Sequence, residues 1–360
     1  MASNSPSYGF WNLQDVLGRR VTDVGIETIS EAIKLGAAEY NRVVAESLSS
    51  LVEVTEKYKF RYRLPGDGTL APLTDEGTIL PVKPGNSQDI ELPIESAGTA
   101  FSLTEEAMSA KTVGDLQDMY LDAQRRDSDW MFRHILSSLF YAAGNWTYTD
   151  AQYGSLTVKP LANNDGEDYV KNDGTLATAA VQHLAEADAI ANAANPFPAM
   201  RTALMAYPHN TGRVVCYVPT ALRDDVEALA VFVAANDANL TKGSGSDTLN
   251  LTPPKGLGTE VFGYVKGANF WMVEAPRLPS AYMFAHCPDS PFKPIAMRQY
   301  PDAALQGLVQ RMHVTESGTK FTFKRHAGFG ALNRVGAVVQ YIGSDTYAAP
   351  AGYTAVPLAI

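Results

Sequence analysis

The residues that could do catalytic or metal chemistry are few and do not cluster along the chain. There are six histidines and two cysteines. No histidines have the His-Glu-x-x-His spacing of a helical zinc site, and Cys216 and Cys287 lie too far apart for a Cys-x-x-Cys pair. His134 falls near the apolar stripe of a predicted helix, where a buried, hydrogen-bonded histidine is the ordinary role. Cys216 lies in an apolar run, as a small buried hydrophobe would. The sequence therefore predicts no metal site.

Motifs for phosphate binding, calcium binding and nucleophilic catalysis are incomplete. Three glycine-rich strings, at 66–68, 243–245 and 328–330, lack the lysine of a P-loop and the strand-to-helix setting of a dinucleotide fingerprint. The first and last ligand positions of a calcium loop around 163–167 would be Leu161 and Asn172, which do not fit. There is no Gly-x-Ser-x-Gly elbow. We therefore predict no catalytic residue and no cofactor, and a protein that is not an enzyme.

The charge balance and hydropathy exclude two further classes. The 360 residues include 39 acidic and 29 basic ones, for a net charge of -10. A protein that reads a nucleic-acid sequence normally carries a basic patch on a basic domain, so that class is not expected. No run approaches the roughly 18 apolar residues of a membrane span, and the first 20 residues lack the apolar core of a signal peptide. We expect a reduced protein that is made in the cytoplasm and has no membrane partner.

The N-terminal third predicts a helix followed by a protruding hairpin. Residues 1–23 lack periodicity and predict an arm that becomes ordered on a partner. Apolar residues then recur every three or four positions, which predicts an amphipathic helix from about Gly25 to Glu56. Residues 57–63 alternate basic and aromatic side chains, as a strand does, and prolines interrupt the next 35 or so residues. An extended hairpin is the simplest interpretation of 57–103.

A second, longer helix is predicted in the following segment. Thr112, with Asp115 three residues later, predicts a capping box at its start. The apolar stripe continues to about residue 143, before Gly144, which gives a rod about 45 Å long. Such a rod exceeds what a small domain needs.

The rest of the chain predicts a mixed region and then strands. The patterns predict helices at 178–194 and 220–235, the second capped by Thr220, and a buried strand at 213–219. Strands dominate from about residue 260, and 348–360 reads as an apolar, extended tail.

The C-terminal strands carry the most specific feature of the sequence. A basic strand, Phe321–Arg325, leads through Gly328-Phe329-Gly330 and the pair Asn333-Arg334 into the apolar run 336–339. Alone, this pattern is also typical of an ordinary β-hairpin with glycines at its turn. Together with the order of parts before it, it resembles the major capsid protein of tailed bacteriophages, of the Hong Kong 97 type. The resemblance covers nearly the whole chain and implies an α+β fold with an N-arm, an extended loop, a long spine helix, a peripheral domain and an axial domain.

The parts of that family can be placed on this sequence by their order. They are the N-terminal arm and helix at 1–56, the extended loop at 57–103, the peripheral domain at 104–171 with the spine helix at 112–143, the axial domain at 172–310, a return to the peripheral domain at 311–345, and a C-terminal tail at 346–360. The resemblance implies that pentamers and hexamers of this chain form an icosahedral shell around double-stranded phage DNA.

The resemblance assigns two sets of residues to assembly. The extended loop would lie across a neighbouring copy, and its apolar residues are the expected contacts: Leu70, Leu73, Ile79, Leu80 and Val82. Basic residues could face the lumen and touch packaged DNA without reading its sequence: Arg19, Arg20, Arg125 and Arg126. Local salt bridges from the helix arginines to Asp122 and Asp129 are the alternative.

The resemblance also implies partners, and it leaves alternatives open. The expected partners are a separately encoded scaffolding protein, a portal and cement proteins, and the expected location is the virion, with the host cytoplasm during assembly. Some family members form a Lys-to-Asn isopeptide bond, for which Lys59, Lys83 and Asn333 are candidates by residue type. The first alternative is the shell of an encapsulin-type compartment that holds protein cargo, and the second is a soluble α/β enzyme.

Overall fold

The computed structural model of the chain describes residues 17–63, 87–235, 260–315 and 318–353. Within them the helices are α1 (Val21–Val24), α2 (Ile26–Leu48), α3 (Glu105–Ala110), α4 (Val113–Phe140), α5 (Phe197–Met205) and α6 (Thr220–Glu227), with a 3-10 turn at Ala303–Leu305. The strands are β1 (Val52–Thr55), β2 (Lys59–Arg63), β3 (Ser87–Glu91), β4 (Glu95–Thr104), β5 (Trp146–Asp150), β6 (Gly154–Val158), β7 (Tyr169–Val170), β8 (Leu176–Ala177), β9 (His183–Glu186), β10 (Val214–Val218), β11 (Phe232–Ala234), β12 (Val261–Val265), β13 (Phe270–Glu274), β14 (Tyr282–His286), β15 (Ile295–Arg298), β16 (Leu308–Thr315), β17 (Gly318–Ala331) and β18 (Ala337–Ile342). The predicted α+β class is confirmed. No helix among these is long and apolar enough to cross a membrane.

The chain divides into two compact units, each with its own core. Among the described residues, the first unit comprises 17–46, 94–134, 299–315 and 318–328, and the second comprises 47–63, 87–93, 135–235, 260–298 and 329–353.

The first unit packs helices on one face of an antiparallel sheet. β17 lies between β16 and β4, so that Phe321 is opposite both Met312 and Phe101. One face of α2 and of α4 packs with the inward residues of the sheet to form the core: Val21, Ile29, Ile33, Ala37, Leu103, Val113, Leu116, Tyr120, Ala123, Leu308, Phe321 and Phe323. The spacing of three and four residues on the helices is the stripe that the sequence predicts.

A buried ion pair crosses this core. The Arg325 side chain on β17 bonds both carboxylate oxygens of Asp127 on α4, with Nη2 2.7 Å from Oδ2, and both side chains are 4% exposed. The Tyr40 hydroxyl of α2 donates to the same carboxylate at 3.0 Å. Because a buried carboxylate and guanidinium each need partners, this network fixes α2, α4 and β17 against one another.

The start of α4 confirms the predicted capping box. The backbone N–H of Thr112 donates to Asp115 Oδ2 at 2.8 Å, and the N–H of Asp115 donates to Thr112 Oγ1 at 3.3 Å. The helix spans 28 residues, or about 42 Å at 1.5 Å per residue, and ends at Phe140.

The second unit is organised around a seven-stranded mixed sheet. Its strand order is β11-β12-β13-β10-β14-β18-β9. All residues of β10 and β14 are buried, which requires cover on both faces of the sheet. Alternate residues of the sheet pack with α5 and α6 on one face, and on the other face Tyr217 stacks on Phe284 at 4.7 Å and on His286 at 5.8 Å.

Two predicted helices in the second unit are wrong. The segment predicted as a helix over 178–194 contains strand β9 and irregular turns, because residues 183–186 pair in parallel with β18 and this pairing outweighs the helix propensity of the alanines. The helix predicted over 220–235 ends at Glu227, and residues 232–234 form β11 against β12. Thr220 is not its cap; its hydroxyl donates instead to Glu274 Oε1 at 2.8 Å.

Two further predictions at element boundaries need correction. The first helix ends at Leu48 rather than near Glu56, because Val52–Thr55 is a strand parallel to β15. Residues 21–24 of the predicted arm form α1, whose Val21 is buried. The string Gly328-Phe329-Gly330 lies inside strand β17, so the alternative of an ordinary hairpin with these glycines at its turn does not apply.

Candidate functional site

The stem of the predicted hairpin is a two-stranded ribbon in the second unit. β2 and β3 pair antiparallel, with Lys59 opposite Glu91 and Arg61 opposite Asp89. Lys59 Nζ lies 2.9 Å from Glu91 and 3.0 Å from Asp89, and Arg61 Nε lies 2.7 Å from Asp89. The hydrogen bonds from Arg61 and Lys59 hold the pKa of Asp89 well below its usual value. These cross-strand charges help to fix the register of the stem.

The alternate residues of the stem are apolar and pack on the second unit. Phe60 and Tyr62 pack against Leu92, Ala296 and Leu332. The alternation of basic and aromatic residues is therefore that of a strand with one exposed and one packed face, as predicted. The predicted contact residues of the hairpin, Leu70, Leu73, Ile79, Leu80 and Val82, lie outside the described residues, as does Lys83.

A single buried arginine ties both ends of the stem to the second unit. Arg298 is 2% exposed, and its Nη1 donates to the carbonyl of Leu92 at 2.7 Å and to Asp150 Oδ2 at 2.9 Å. Its guanidinium lies over the Tyr153 ring, 5.0 Å from the centroid, and Tyr153 stacks on Tyr58 at 3.9 Å. Tyr58 immediately precedes β2 and Leu92 immediately follows β3, so the two chain segments leaving the stem meet at one cation. We call Arg298, Asp150, Tyr153 and Tyr58 the stem clamp.

Two further hydrogen bonds hold β3 along its length. Gln88 Nε2 donates to the carbonyl of Asp168 at 2.7 Å. The backbone N–H of Thr157 donates to Glu91 at 2.8 Å and, with the hydrogen bond from Lys59, lowers the pKa of Glu91. The stem is thus fixed at its base to the rest of the second unit.

A cavity of about 370 Å³ lies beside the stem. Its walls are mostly aromatic and apolar, and they include Tyr62, Tyr169 and Phe292. Two buried donors on the wall, Arg334 Nη1 and Asn333 Nδ2, have no hydrogen-bond partner among the described residues. The arrangement suits a hydrogen-bond acceptor on an apolar body, and it offers no paired nucleophile and base.

The predicted basic residues of the first unit are exposed. Arg126 Nε lies 2.8 Å from Asp122 one helical turn away, so the local salt bridge is present for this arginine. Arg19 and Arg20 precede α1, and Arg125 is exposed on α4.

The buried histidines form hydrogen bonds with backbone carbonyls, and the two buried cysteines lie in an apolar core. His134 is 1% exposed, and its ring nitrogens lie 2.6 Å from the carbonyl of Trp130 and 3.3 Å from Glu95, as predicted for a buried, hydrogen-bonded histidine. Burial lowers the pKa of His183 and of His286 to about 4. Burial raises the pKa of the Cys216 thiol, which leaves it without the thiolate that nucleophilic chemistry needs. In the described part of the chain, no group of three or more His, Cys, Asp or Glu side chains could hold a metal ion.

Comparison with known proteins identifies the fold. No protein-family model matches the chain, and no curated protein matches it. A chain in the structure of Mycobacterium phage Patience is 15% identical, with a TM-score of 0.68 over 98% of both chains. Chains in the Cyanophage Pam1 capsid asymmetric unit and the capsid of the native GTA particle are each 12% identical, with TM-scores of 0.49 and 0.47. The Pam1 match covers 82% of this chain and 89% of the Pam1 chain. The GTA match covers 83% of this chain and 91% of the GTA chain. The chain therefore has the fold of the phage Patience chain along almost its whole length.

Proposed function

We propose that this chain is a major capsid protein that assembles as pentamers and hexamers into an icosahedral shell around phage double-stranded DNA. The observation that carries this proposal is the fold shared with a phage chain over 98% of both chains, at a TM-score of 0.68. The order of arm, helix, hairpin, long helix, mixed region and returning strands supports it, because it follows the order of the Hong Kong 97 type. No candidate catalytic site competes with it in the described residues. The encapsulin-type shell has the weaker support, since the fold match is to a phage chain.

The hairpin is the proposed fastening between copies. Its stem is held by the stem clamp and by the hydrogen bonds that involve Thr157 and Gln88. A neighbour that binds the segment 64–86 would therefore be joined to a segment that is anchored in the second unit. Leu70, Leu73, Ile79, Leu80 and Val82 are the proposed apolar contacts, because burying them against a neighbour would release apolar surface from water.

The remaining parts of the proposal follow the family order. The domain boundaries at 56, 103, 171, 310 and 345 are those of an N-arm with helix, extended loop, peripheral domain, axial domain and the returning peripheral strands. The proposed partners are further copies of the chain, a separate scaffolding protein, a portal and cement proteins, and the proposed location is the virion, with the host cytoplasm during assembly. Arg19, Arg20, Arg125 and Arg126 are proposed lumen-facing cations.

Electron microscopy of the purified chain tests the proposal. We expect closed shells, tubes or ring-shaped capsomers when concentration or salt is raised. The double variant I79D/L80D should stay soluble and folded but lose these particles, because charged groups replace apolar contacts. An exposed change away from the hairpin, Lys34→Gln, serves as the control.

The outcomes separate the candidate functions. A stable monomer or dimer under all conditions would overturn the proposal in favour of a soluble enzyme. Particles from the native host that hold protein cargo rather than DNA would favour the encapsulin-type compartment.

A further inference from the structure

The cavity beside the stem has an aromatic wall and an exposed apolar mouth. The rings of Tyr62, Tyr169, Tyr207 and Phe292 line it, and Phe292 is 40% exposed although it is a large apolar side chain. The volume of about 370 Å³ is within the range of roughly 300–1,000 Å³ that is typical of ligand pockets. Exposed apolar side chains around a concave opening are a feature of binding surfaces. We call this cavity the aromatic pocket.

The wall of the aromatic pocket also carries polar groups that lack acceptors. Arg334 Nη1 and Asn333 Nδ2 are buried and have no hydrogen-bond partner among the described residues. A buried donor that stays unpaired costs free energy, because it has lost its hydrogen bonds to water without gaining others. A ligand that brings a carbonyl oxygen to these donors would remove that cost. The two side chains therefore point to a ligand that carries hydrogen-bond acceptors.

The charges around the aromatic pocket favour an uncharged ligand. Arg334 Nη2 is paired with Asp165, and the guanidinium carbon lies 5.8 Å from the centre of the Tyr169 ring. Asp168 also lines the pocket. A carboxylate in the pocket would thus meet two acidic side chains, and an arginine that is already neutralised. A peptide carbonyl supplies the acceptor without this repulsion.

Aromatic walls with hydrogen-bond donors are the features that recognise extended peptides containing proline. A proline ring packs on aromatic rings, and a polyproline II segment has no internal hydrogen bonds, so its carbonyls are free to accept. Proline also lacks an N–H group, which would need an acceptor inside the pocket. The aromatic pocket therefore has the chemistry of a site for an uncharged, proline-containing segment.

A segment of this kind follows Tyr353 in the chain itself. Residues 354–360 contain one proline and no charged side chain: Thr354-Ala355-Val356-Pro357-Leu358-Ala359-Ile360. The other segments outside the described residues all contain charged side chains: 1–16, 64–86, 236–259 and 316–317. We infer that the aromatic pocket binds Pro357 and Leu358 of a second copy of this chain, with a peptide carbonyl bound by Asn333 and Arg334. The inference rests on the proposed self-assembly and names one site at which copies are joined.

The path of the chain before Pro357 favours a second copy over the chain's own tail. The Tyr353 ring lies 5.7 Å from that of Phe140, which lies 5.6 Å from that of Tyr282, opposite the C-terminal end of β18. Val335, which lines the aromatic pocket, precedes the other end of this strand, about 20 Å away at the rise of a β-strand. Pro357 is four residues after Tyr353, and four residues span at most about 14 Å. A proline from a second copy is not subject to this limit.

Binding of a labelled tail peptide to the purified full-length chain tests this inference. The probe is a fluorescein-labelled peptide of residues 353–360, and its fluorescence anisotropy is measured against increasing protein concentration. We expect saturable binding that is at least about fivefold weaker for Phe292→Ser, which removes an exposed ring from the mouth of the pocket. Pro357→Ala in the peptide should weaken binding in the same direction. Because this second change is in the probe, it leaves the fold of the protein untouched.

Matched controls are available on both sides of the interaction. Leu176→Ser removes an apolar side chain that is 39% exposed elsewhere on the second unit, and we expect its affinity to stay within twofold of the wild type. A peptide with the same residues in scrambled order should bind far more weakly. Equal binding of the scrambled peptide, or equal losses in Phe292→Ser and Leu176→Ser, would overturn the inference, because apolar character alone would then explain the binding.

Hydrogen exchange identifies the site and the source of the segment. The tail peptide should slow the exchange of amides at 332–335 in the dilute, unassembled chain. Leu358→Asp in that chain should leave the same amides unchanged when no peptide is added. Faster exchange in Leu358→Asp would overturn the inference, because the chain's own tail would then fill the pocket. Stronger protection by a peptide of residues 77–83 than by the tail peptide would overturn it in favour of the hairpin.

Electron microscopy of the same samples separates this inference from the proposed function. Wild-type particles without saturable binding of the tail peptide would overturn the inference and leave the proposed function standing. Saturable binding that protects 332–335, in a chain that forms no particles, would support the peptide site while the proposed function falls.

Discussion

Replacing Arg298 by methionine should destabilise the second unit strongly and release the base of the hairpin. Methionine is of similar length and fills much of the space, so the main loss is the charge. Asp150, whose side chain is 1% exposed, is then left as a buried carboxylate without its cation, and the carbonyl of Leu92 loses a donor. Breaking a buried ion pair from one side typically costs about 3–5 kcal/mol. This is a large part of the roughly 5–15 kcal/mol that stabilises a whole domain.

The effect of the Arg298 substitution should be measured both on the overall stability of the chain and on the protection of individual amides. Urea unfolding of the unassembled chain gives the loss of stability, and hydrogen exchange gives its location. In R298M the amides of β2 and β3 should exchange faster, because Leu92 and Tyr58 lose their common anchor. The double variant R298M/D150N should recover part of the stability, since it removes the buried charge as well.

A surface ion pair provides the matched control. Arg213 Nε lies 3.1 Å from Asp289, and the two side chains are 50% and 43% exposed. Arg213→Met should cost less than about 1 kcal/mol, as exposed pairs do. If Arg298→Met costs no more than Arg213→Met, or if the stem amides keep their protection, the reasoning about the stem clamp is wrong.

Two further predictions concern pH and packing. The pKa of both His183 and His286 is lowered to about 4, so the unfolded chain binds these protons more readily. Their contribution to stability is complete above pH 6.5 and is lost as the pH falls towards 4, by about 2 kcal/mol each between pH 6.5 and 5. In H183Q and in H286Q, the urea midpoints measured at pH 7 and at pH 5 should lie closer together than they do in the wild type. In H209Q, whose side chain is exposed, the difference between the two midpoints should stay as in the wild type. Equal changes in all three variants would contradict this. Gly330→Ala should destabilise the chain by about 1–3 kcal/mol, because its Cβ would lie 2.7 and 2.9 Å from two core side chains. Gly18→Ala meets no atom within 4 Å and should cost far less in the same unfolding assay; equal costs would show that the close approach at Gly330 is relieved by small shifts.

Local sequence patterns were sufficient to predict those elements whose stabilising contacts join residues that are close together in the chain. The capping box of Thr112 and Asp115 spans three residues and could be identified directly. The alternation at 57–63 predicted β2, since the strand has one packed and one exposed face. The apolar stripe of α4 could also be predicted, because a helix repeats its buried face every three to four residues.

Contacts between distant segments could not be predicted in this way. Arg298 and Asp150 are 148 positions apart, and nothing next to either residue marks it as half of a buried pair. The alanine-rich segment 178–194 has helical propensity, but residues 183–186 are in a strand because β18 offers hydrogen bonds along its edge.

The pairing of β1 with β15, and of β4 with β17, sets the earliest time at which a newly made chain can fold. Val52 pairs with Ile295 and Phe101 with Phe321, so each unit needs a strand that is synthesised more than about 200 residues after its partner. At about 5–20 residues per second, the first strands wait roughly 10 to 50 seconds on the ribosome. Neither core can close until the last quarter of the chain has emerged. A partly synthesised copy therefore has neither core complete, and if copies of the chain assemble as proposed, this topology delays their association until translation is nearly complete.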